Sequence, residues 1–252
     1  GIILEHFDLA NGKPMATTGE KEELNPEDPD DRGEPLGPAE AKSFRALAAR
    51  MNYLAADRPD LAFAAKEVCR DMAMPYRASW KKLKRLARFL LGHRRVVLQF
   101  RGGKMPHEMA VYVGSDWAGC VKTRKSTSGG VILLGGACMR FWSSTQTTIA
   151  LSSAEAEFYS LVEGATRAIG FARLAVELGF PDFRIRVYTD SSAAKSFVSR
   201  RGLSKIRHLD TKYLWVQDSI ARKCFFVEKI DGKSNPADPL TKYLSWHEME
   251  GL

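Results

Sequence analysis

Between residues 92 and 108 the hydrophobic period of this chain changes, and no one kind of element satisfies both halves. Upstream, apolar residues recur every three or four positions, the spacing of a helix face. Downstream they alternate, or run in short blocks closed by glycine, the spacing of strands. The chain therefore has to fold as a helical part followed by a sheet.

The upstream part reads as three helices. "AEAKSFRALAARMNYLAA" sets Phe44, Leu47, Met51 and Leu54 on one face. "RPDLAFAAKEVCRDMA" opens with Pro59 and Asp60 in the first turn, a good helix start. "SWKKLKRLARFLLG" aligns Trp80, Leu83, Leu86 and Leu90 and stops at Gly92. Its opposite face carries Lys81, Lys82, Lys84, Arg85 and Arg88. That face is either a solvated surface or one that tracks phosphates, since bound lysines and arginines release counterions from a nucleic-acid backbone.

Downstream, strands are expected at 95–101, 108–115, 129–135, 137–144, 184–189 and 224–230. Gly135–Gly136 marks a hairpin. Helices are expected at about 154–178, 192–200, about 209–222 and briefly from Pro236. The long one has Phe158, Leu161, Val162, Ala165, Ile169, Ala172 and Val176 as its buried stripe and ends at Gly179. From residue 108 the order is β-β-β-α-β-α-α-β-α. It predicts an α/β fold with a mixed sheet, the first three strands antiparallel and the later ones reached by helical crossovers.

Charge is unevenly spread. The net is +8, yet residues 1–40 hold 11 acids and 3 bases, so the remainder is strongly basic. That balance fits a polyanionic partner, with a generically basic surface as the plain alternative. Residues 12–41, rich in Pro, Gly, Glu and Asp, read as disordered or loosely draped. No apolar run approaches the roughly 18 residues that span a membrane, so no membrane partner is expected. The start "GIILEHFDLANGKPM" lacks the flanks of a signal peptide and an initiator Met, and the expectation is a piece of a longer polypeptide. Cys69, Cys120, Cys138 and Cys224 are far apart, with no zinc spacing, so free thiols and an intracellular setting are expected.

Four acids stand at informative places. Asp116 and Asp190 follow strands; Glu157 and Asp238 open helices. Each has a structural reading. Asp116 suits the turn "SDWAG", Asp190 a helix cap, and Glu157 a first-turn acid favoured by the helix dipole. Asp238 suits the first turn after an Asn235 cap and Pro236. Glu155 pairs with Ser152 as S-x-x-E, a capping box, which accounts for it without chemistry. Together, however, four such acids on one sheet repel one another and call for a cation. Carboxylates without histidine or thiolate favour Mg²⁺ or Mn²⁺. Two such ions about 4 Å apart support phosphodiester hydrolysis.

"SDWAGCVKTRKSTSGGVILLGG", "WSSTQTTIALSSAEAEFYSLVEGA", "YTDSSAA", "RHLDTKYLWVQD" and "NPADPLTK" resemble, in order, the ribonuclease H domain of copia-type retrotransposon polyproteins. Residues 42–104 resemble the connection region that follows the reverse transcriptase there, without a Tyr-x-Asp-Asp polymerase motif. The resemblance implies a ribonuclease H-like mixed five-stranded sheet with flanking helices at 105–244, after a helical connection region at 42–104. Residues 1–41 become an acidic linker and 245–252 a C-terminal tail. It also implies hydrolysis of the RNA strand of an RNA–DNA hybrid, with two Mg²⁺ or Mn²⁺ ions on an Asp, Glu, Asp, Asp set. The reverse transcriptase part of the same polyprotein would be a partner.

Glu157, Asp190 and Asp238 match the second, third and fourth acids. Aligned on "DWAG", the family's first acid falls at Gly114, and Asp116 matches a later Asp. Asp116 shares a strand face with 114 and is entered in the catalytic set on that ground. The rival reading is an inactive hybrid-binding relic; a second rival is a connection module that only clamps a template. His208 fits the family pattern at the start of a helix, either beside a phosphate or as a hydrogen-bonded helix-end histidine. Arg124, Lys125, Ser126 and Thr127 form a polar loop, suited to phosphate oxygens or simply a solvated hairpin loop. Gln146 is placed facing the minor groove, where 2′-hydroxyls identify RNA. Trp117, Trp142, Trp215 and Tyr159 are read as core.

Overall fold

A computed structural model describes residues 2–9, 12–21, 32–100, 102–199 and 215–250. In chain order the helices are α1 (Ile2–His6), α2 (Pro38–Leu54), α3 (Pro59–Cys69) and α4 (Arg77–Gly92). Strands β1 (Glu108–Asp116), β2 (Thr127–Leu134) and β3 (Ala137–Thr145) follow. Then come α5 (Ser153–Glu177), β4 (Arg184–Thr189), α6 (Ser192–Ser199), α7 (Trp215–Ala221), β5 (Phe226–Lys229) and α8 (Trp246–Glu250). The chain divides into two compact units: Gly1–Val97 with Lys242–Leu252, and Leu98–Thr241.

In the helical unit the apolar stripes of α2, α3 and α4 meet. Phe44, Met51, Leu61, Leu83, Leu86 and Phe89 are fully buried there. Arg58, just before α3, grips Asp60 with two hydrogen bonds of 2.8 and 2.6 Å and donates to His93 O at 2.9 Å. A buried, bidentate pair of this kind fixes geometry as well as charge. The C-terminal segment belongs to this unit. Trp246 stacks on His93 with ring centroids 4.2 Å apart, Trp246 N donates to Ala16 O at 2.9 Å, and Tyr243 packs edge-on to Phe63. Trp246→Ala should therefore cost the helical unit about 2 kcal/mol, below the value for a fully buried aromatic. A urea midpoint unchanged by the substitution would show that this segment merely rests on the surface.

The second unit is a mixed sheet of order β3-β2-β1-β4-β5. β1, β2 and β3 are antiparallel neighbours; β4 runs parallel to β1, and β5 parallel to β4. This is the architecture that the element order predicts. The hairpin between β2 and β3 turns on Gly135 and Gly136, both at positive φ (59° and 80°), as a two-residue turn matched to strand twist demands. On β1, Met109, Val111 and Val113 are fully buried and face α5. Gly164 lets α5 lie close, since a Cβ there would fall 2.3 Å from Val113 Cγ1. α5 begins with Ser152 accepting from Glu155 N and ends in a Schellman turn, Phe180 N donating to Ala175 O and Gly179 N to Val176 O.

The structure corrects three expectations. Residues 95–100 form no strand: Val97 is 72% and Phe100 63% exposed. An alternating pattern needs a hydrogen-bonded neighbour to become a strand, and the sheet here is completed by β3 and β5. On α5, Ala168 and Ala175 are buried while Val176 is 48% exposed, because Val176 lines an open groove of about 880 Å³ rather than the sheet. The turn after Pro236 is only a 3-10 turn, Asp238–Leu240. The expected helix at 209–222 is described from Trp215 onward.

Candidate active site

β1 and β4 are parallel neighbours, so their C-terminal ends emerge at one edge of the sheet. There the chain's path divides, β2 and β3 lying to one side and β5 to the other. In open sheets such a switch point is where ligands settle. Asp190 follows the last residue of β4. The register pairs Tyr112 with Tyr188; continued by two residues, it puts Gly114 level with Asp190. The first turns of α5 arrive at the same edge and carry Glu157. Asp238 is brought in by Asn235, fully buried, whose Nδ2 donates to Val113 O at 3.0 Å and whose Oδ1 accepts from Ala237 N at 3.1 Å.

Glu157 is the electrostatic centre. It is 8% exposed, and its Oε1 accepts from Ser115 N at 3.1 Å and from Ser115 Oγ at 2.7 Å. Its Oε2 is buried with no hydrogen-bond partner. Burial pushes the carboxyl pKa from 4.5 up to about 7, against the Ser115 hydrogen bonds that lower it; Asp190 and Asp238 add repulsion that raises it further. The two other acids are thus near enough to be felt. Glu155, two residues earlier, has a different job: it accepts from Leu151 N at 2.9 Å and from the Tyr159 hydroxyl. It is a buried structural acid, as the capping pattern suggests.

Asp116 does not join the three. A Cβ placed at Gly119 would fall 1.5 Å from Asp116 Oδ2, so the carboxylate lies folded over its own turn. At Gly114, by contrast, an added Cβ would meet only Asn235 Nδ2 at 3.5 Å and Ala237 Cβ at 3.9 Å, ordinary contacts. Position 114 is thus open to a side chain and carries no carboxylate. The remaining donors are all oxygen and one is an orphaned buried carboxylate oxygen, which suits a hard divalent cation. They are not drawn into a cage: among the described residues no three His, Cys, Asp or Glu side chains are arranged to hold a metal ion.

Of the residues expected to bind nucleic acid, several are otherwise engaged. Ser126 and Thr127 are buried, and Ser126 Oγ accepts from Ala118 N, because both side chains close the base of their loop. Arg124 is exposed and Lys125 half-buried. Gln146 is 7% exposed, its Nε2 donating to Ser128 Oγ and Ala156 O, so it ties β2 to α5 rather than facing a groove. In the helical unit Arg85 pairs with Glu20 at 2.5 Å and donates to Thr17 at 2.7 Å, and Lys82 pairs with Asp71 at 3.3 Å. Lys81 and Lys84 remain exposed. The draped leader thus covers part of the basic face that the sequence offers to phosphate. His208 lies outside the described residues. Trp142 and Tyr159 are core and Trp215 packs against it, but Trp117 is 49% exposed. Asn235 does cap its turn, as the sequence suggests, and also ties it to β1; Ser115, which holds Glu157, is not signalled except by its place beside the acid motif.

No family model matches the chain. The retrovirus-related Pol polyprotein from transposon TNT 1-94 of Nicotiana tabacum is 29% identical over 255 residues, covering 98% of this chain and 19% of that protein. The chain therefore spans about a fifth of that relative's length. Secreted RxLR effector protein 161 of Plasmopara viticola is 37% identical over 125 residues, 49% of this chain and 87% of that protein. Among solved structures, LC11-RNase H1 isolated from compost is similar with a TM-score of 0.39 and 16% identity, over 54% of this chain and 93% of that one.

Proposed function

We propose, from the premise that the chain belongs to the family of retrovirus-related Pol polyproteins of transposons, that residues 98–241 act as its ribonuclease H region on the RNA strand of an RNA–DNA hybrid. Glu157, Asp190 and Asp238 would hold Mg²⁺ or Mn²⁺, which when bound supplies charge stabilisation at the scissile phosphate. The observation that carries the reading is Glu157: a buried carboxylate with an unpartnered oxygen, repelled by the two acids that the motif order pairs with it. Ser115 holds the other oxygen at the end of β1. Asn235 holds the turn of Asp238 against β1. With no carboxylate at 114, hydrolysis is slow. The rest of the polyprotein, its reverse transcriptase included, is the proposed partner.

A cleavage assay on a labelled hybrid with Mg²⁺ and Mn²⁺ tests this. Slow, cation-dependent cutting is expected, confined to the RNA strand and lost in Asp190→Asn. Cutting that survives Asp190→Asn removes the assigned site. Gly114 favours a second reading, a hybrid-binding unit with no hydrolysis at all. Tight hybrid binding by the wild-type chain with no product at any cation concentration would select it.

A further inference from the structure

Beside the acids, one surface feature is unexplained by them. Trp117 follows the last residue of β1 and is 49% exposed, yet it is fixed: its indole N–H donates to Ala150 O at 3.0 Å. Ala150 is itself buried, and the residues flanking it, Ile149 and Leu151, are 48% and 67% exposed. Leu151 is anchored in turn by its N–H to Glu155. Trp117 is thus anchored by its indole and Leu151 by its backbone N–H, and with Ile149 they present three large, exposed apolar side chains at the approach to α5, the helix of Glu157. The loop after Trp117 doubles back, with Cys120 N donating to Lys125 O and Arg124 N to Cys120 O. Ala118 and Arg124 hold positive φ (53° and 54°), an unfavourable conformation for residues with a Cβ. Residues 117–126 hold three cations, Lys122, Arg124 and Lys125, and no acid.

We infer that Trp117, with Ile149 and Leu151, is a stacking platform for an unpaired nucleobase of a strand leaving the acid-bearing edge of the sheet, with Lys122, Arg124 and Lys125 following its phosphates. A fixed, half-exposed indole at the head of a loop with three cations suits a base and its backbone, because every base offers a π face and every linkage a negative charge. A protein partner would gain from the apolar ridge alone and would leave the cations unused. The inference rests on the proposed action on hybrids and adds that the chain prefers hybrids with a single-stranded extension.

The test compares binding of a blunt hybrid and of the same hybrid with a short single-stranded overhang, in EDTA, for the intact chain and for Trp117→Ala and Trp117→Phe. The wild type should bind the overhang hybrid roughly tenfold more tightly than the blunt one. Trp117→Ala should erase that difference with blunt binding unchanged, and Trp117→Phe should keep most of it. Unchanged melting of both variants controls for the fold. Equal binding of blunt and overhang hybrids by the wild type overturns the inference and leaves the hybrid reading standing. No binding of either overturns both. Self-association that disappears in Trp117→Ala would assign the ridge to a second copy and also overturn it.

Discussion

Gly114→Asp is expected to raise Mg²⁺-dependent cleavage of a hybrid's RNA strand by at least about a hundredfold, ~2.7 kcal/mol of barrier. Position 114 lies level with Asp190 by the β1–β4 register and faces Asn235 and Ala237, with room for a Cβ. Its backbone is not in the left-handed region, so the substitution requires no strain. Asp116 stands two residues, about 6.6 Å, farther along, and its carboxylate is folded over Gly119. Asp116→Asn should accordingly change cleavage by no more than about twofold, a change worth ~0.4 kcal/mol. The pair of variants separates the two positions cleanly. An inert Gly114→Asp, together with loss of all cleavage in Asp116→Asn, would mean that Asp116 swings to the site and that 114 has no catalytic place. In the Gly114→Asp background, adding Asp190→Asn should return the rate to zero.

The second large effect concerns stability. The folded chain raises the Glu157 pKa from 4.5 to about 7. A raised carboxyl means that the native state holds the proton more tightly than the unfolded one. Stability is then highest below about 4.5, falls as pH rises toward 7, and carries the whole penalty above that. A shift of about 2.5 units corresponds to about 3 kcal/mol. Glu157→Gln cannot ionise, and its new amide nitrogen would lie near two carboxylates. In ion-free buffer the variant should match the wild type near pH 4.5 and exceed it by up to about 3 kcal/mol at pH 8. Urea midpoints measured across that range supply the check, and parallel curves for the two proteins would refute the raised Glu157 pKa and the burial that chiefly causes it. Mg²⁺ added at pH 8 should stabilise the wild type and leave the variant nearly unmoved.

Much of this was legible in the sequence because it rests on local chemistry. The switch of hydrophobic period located the two kinds of architecture. Gly135–Gly136 announced its hairpin, and Ser152 with Glu155 announced the start of α5. The acids at 157, 190 and 238 stood out by position and by the order of their motifs. What failed depends on long-range neighbours. The 95–101 pattern looks like a strand, but nothing in the pattern says whether an edge will receive it. Ser126, Thr127 and Gln146 are polar and sit near a loop, and only packing shows that they are buried, with Ser126 Oγ and Gln146 Nε2 bonded inside. Trp117 was read as core from residue type, whereas the bond to Ala150 holds it outward. The lysines and arginines of α4 are a clear basic face in sequence; Glu20 and Asp71, remote in the chain, occupy part of it.

Glu157, Asp190 and Asp238 are proposed to share a cation site from which one carboxylate is missing. Mn²⁺ titration, read by the loss of the free-ion electron paramagnetic resonance signal, addresses it without reference to turnover. One bound ion per wild-type chain is predicted, two in Gly114→Asp, and none at this site when Glu157, Asp190 and Asp238 are replaced by their amides. Mn²⁺ uptake unaltered by that triple replacement would contradict the account.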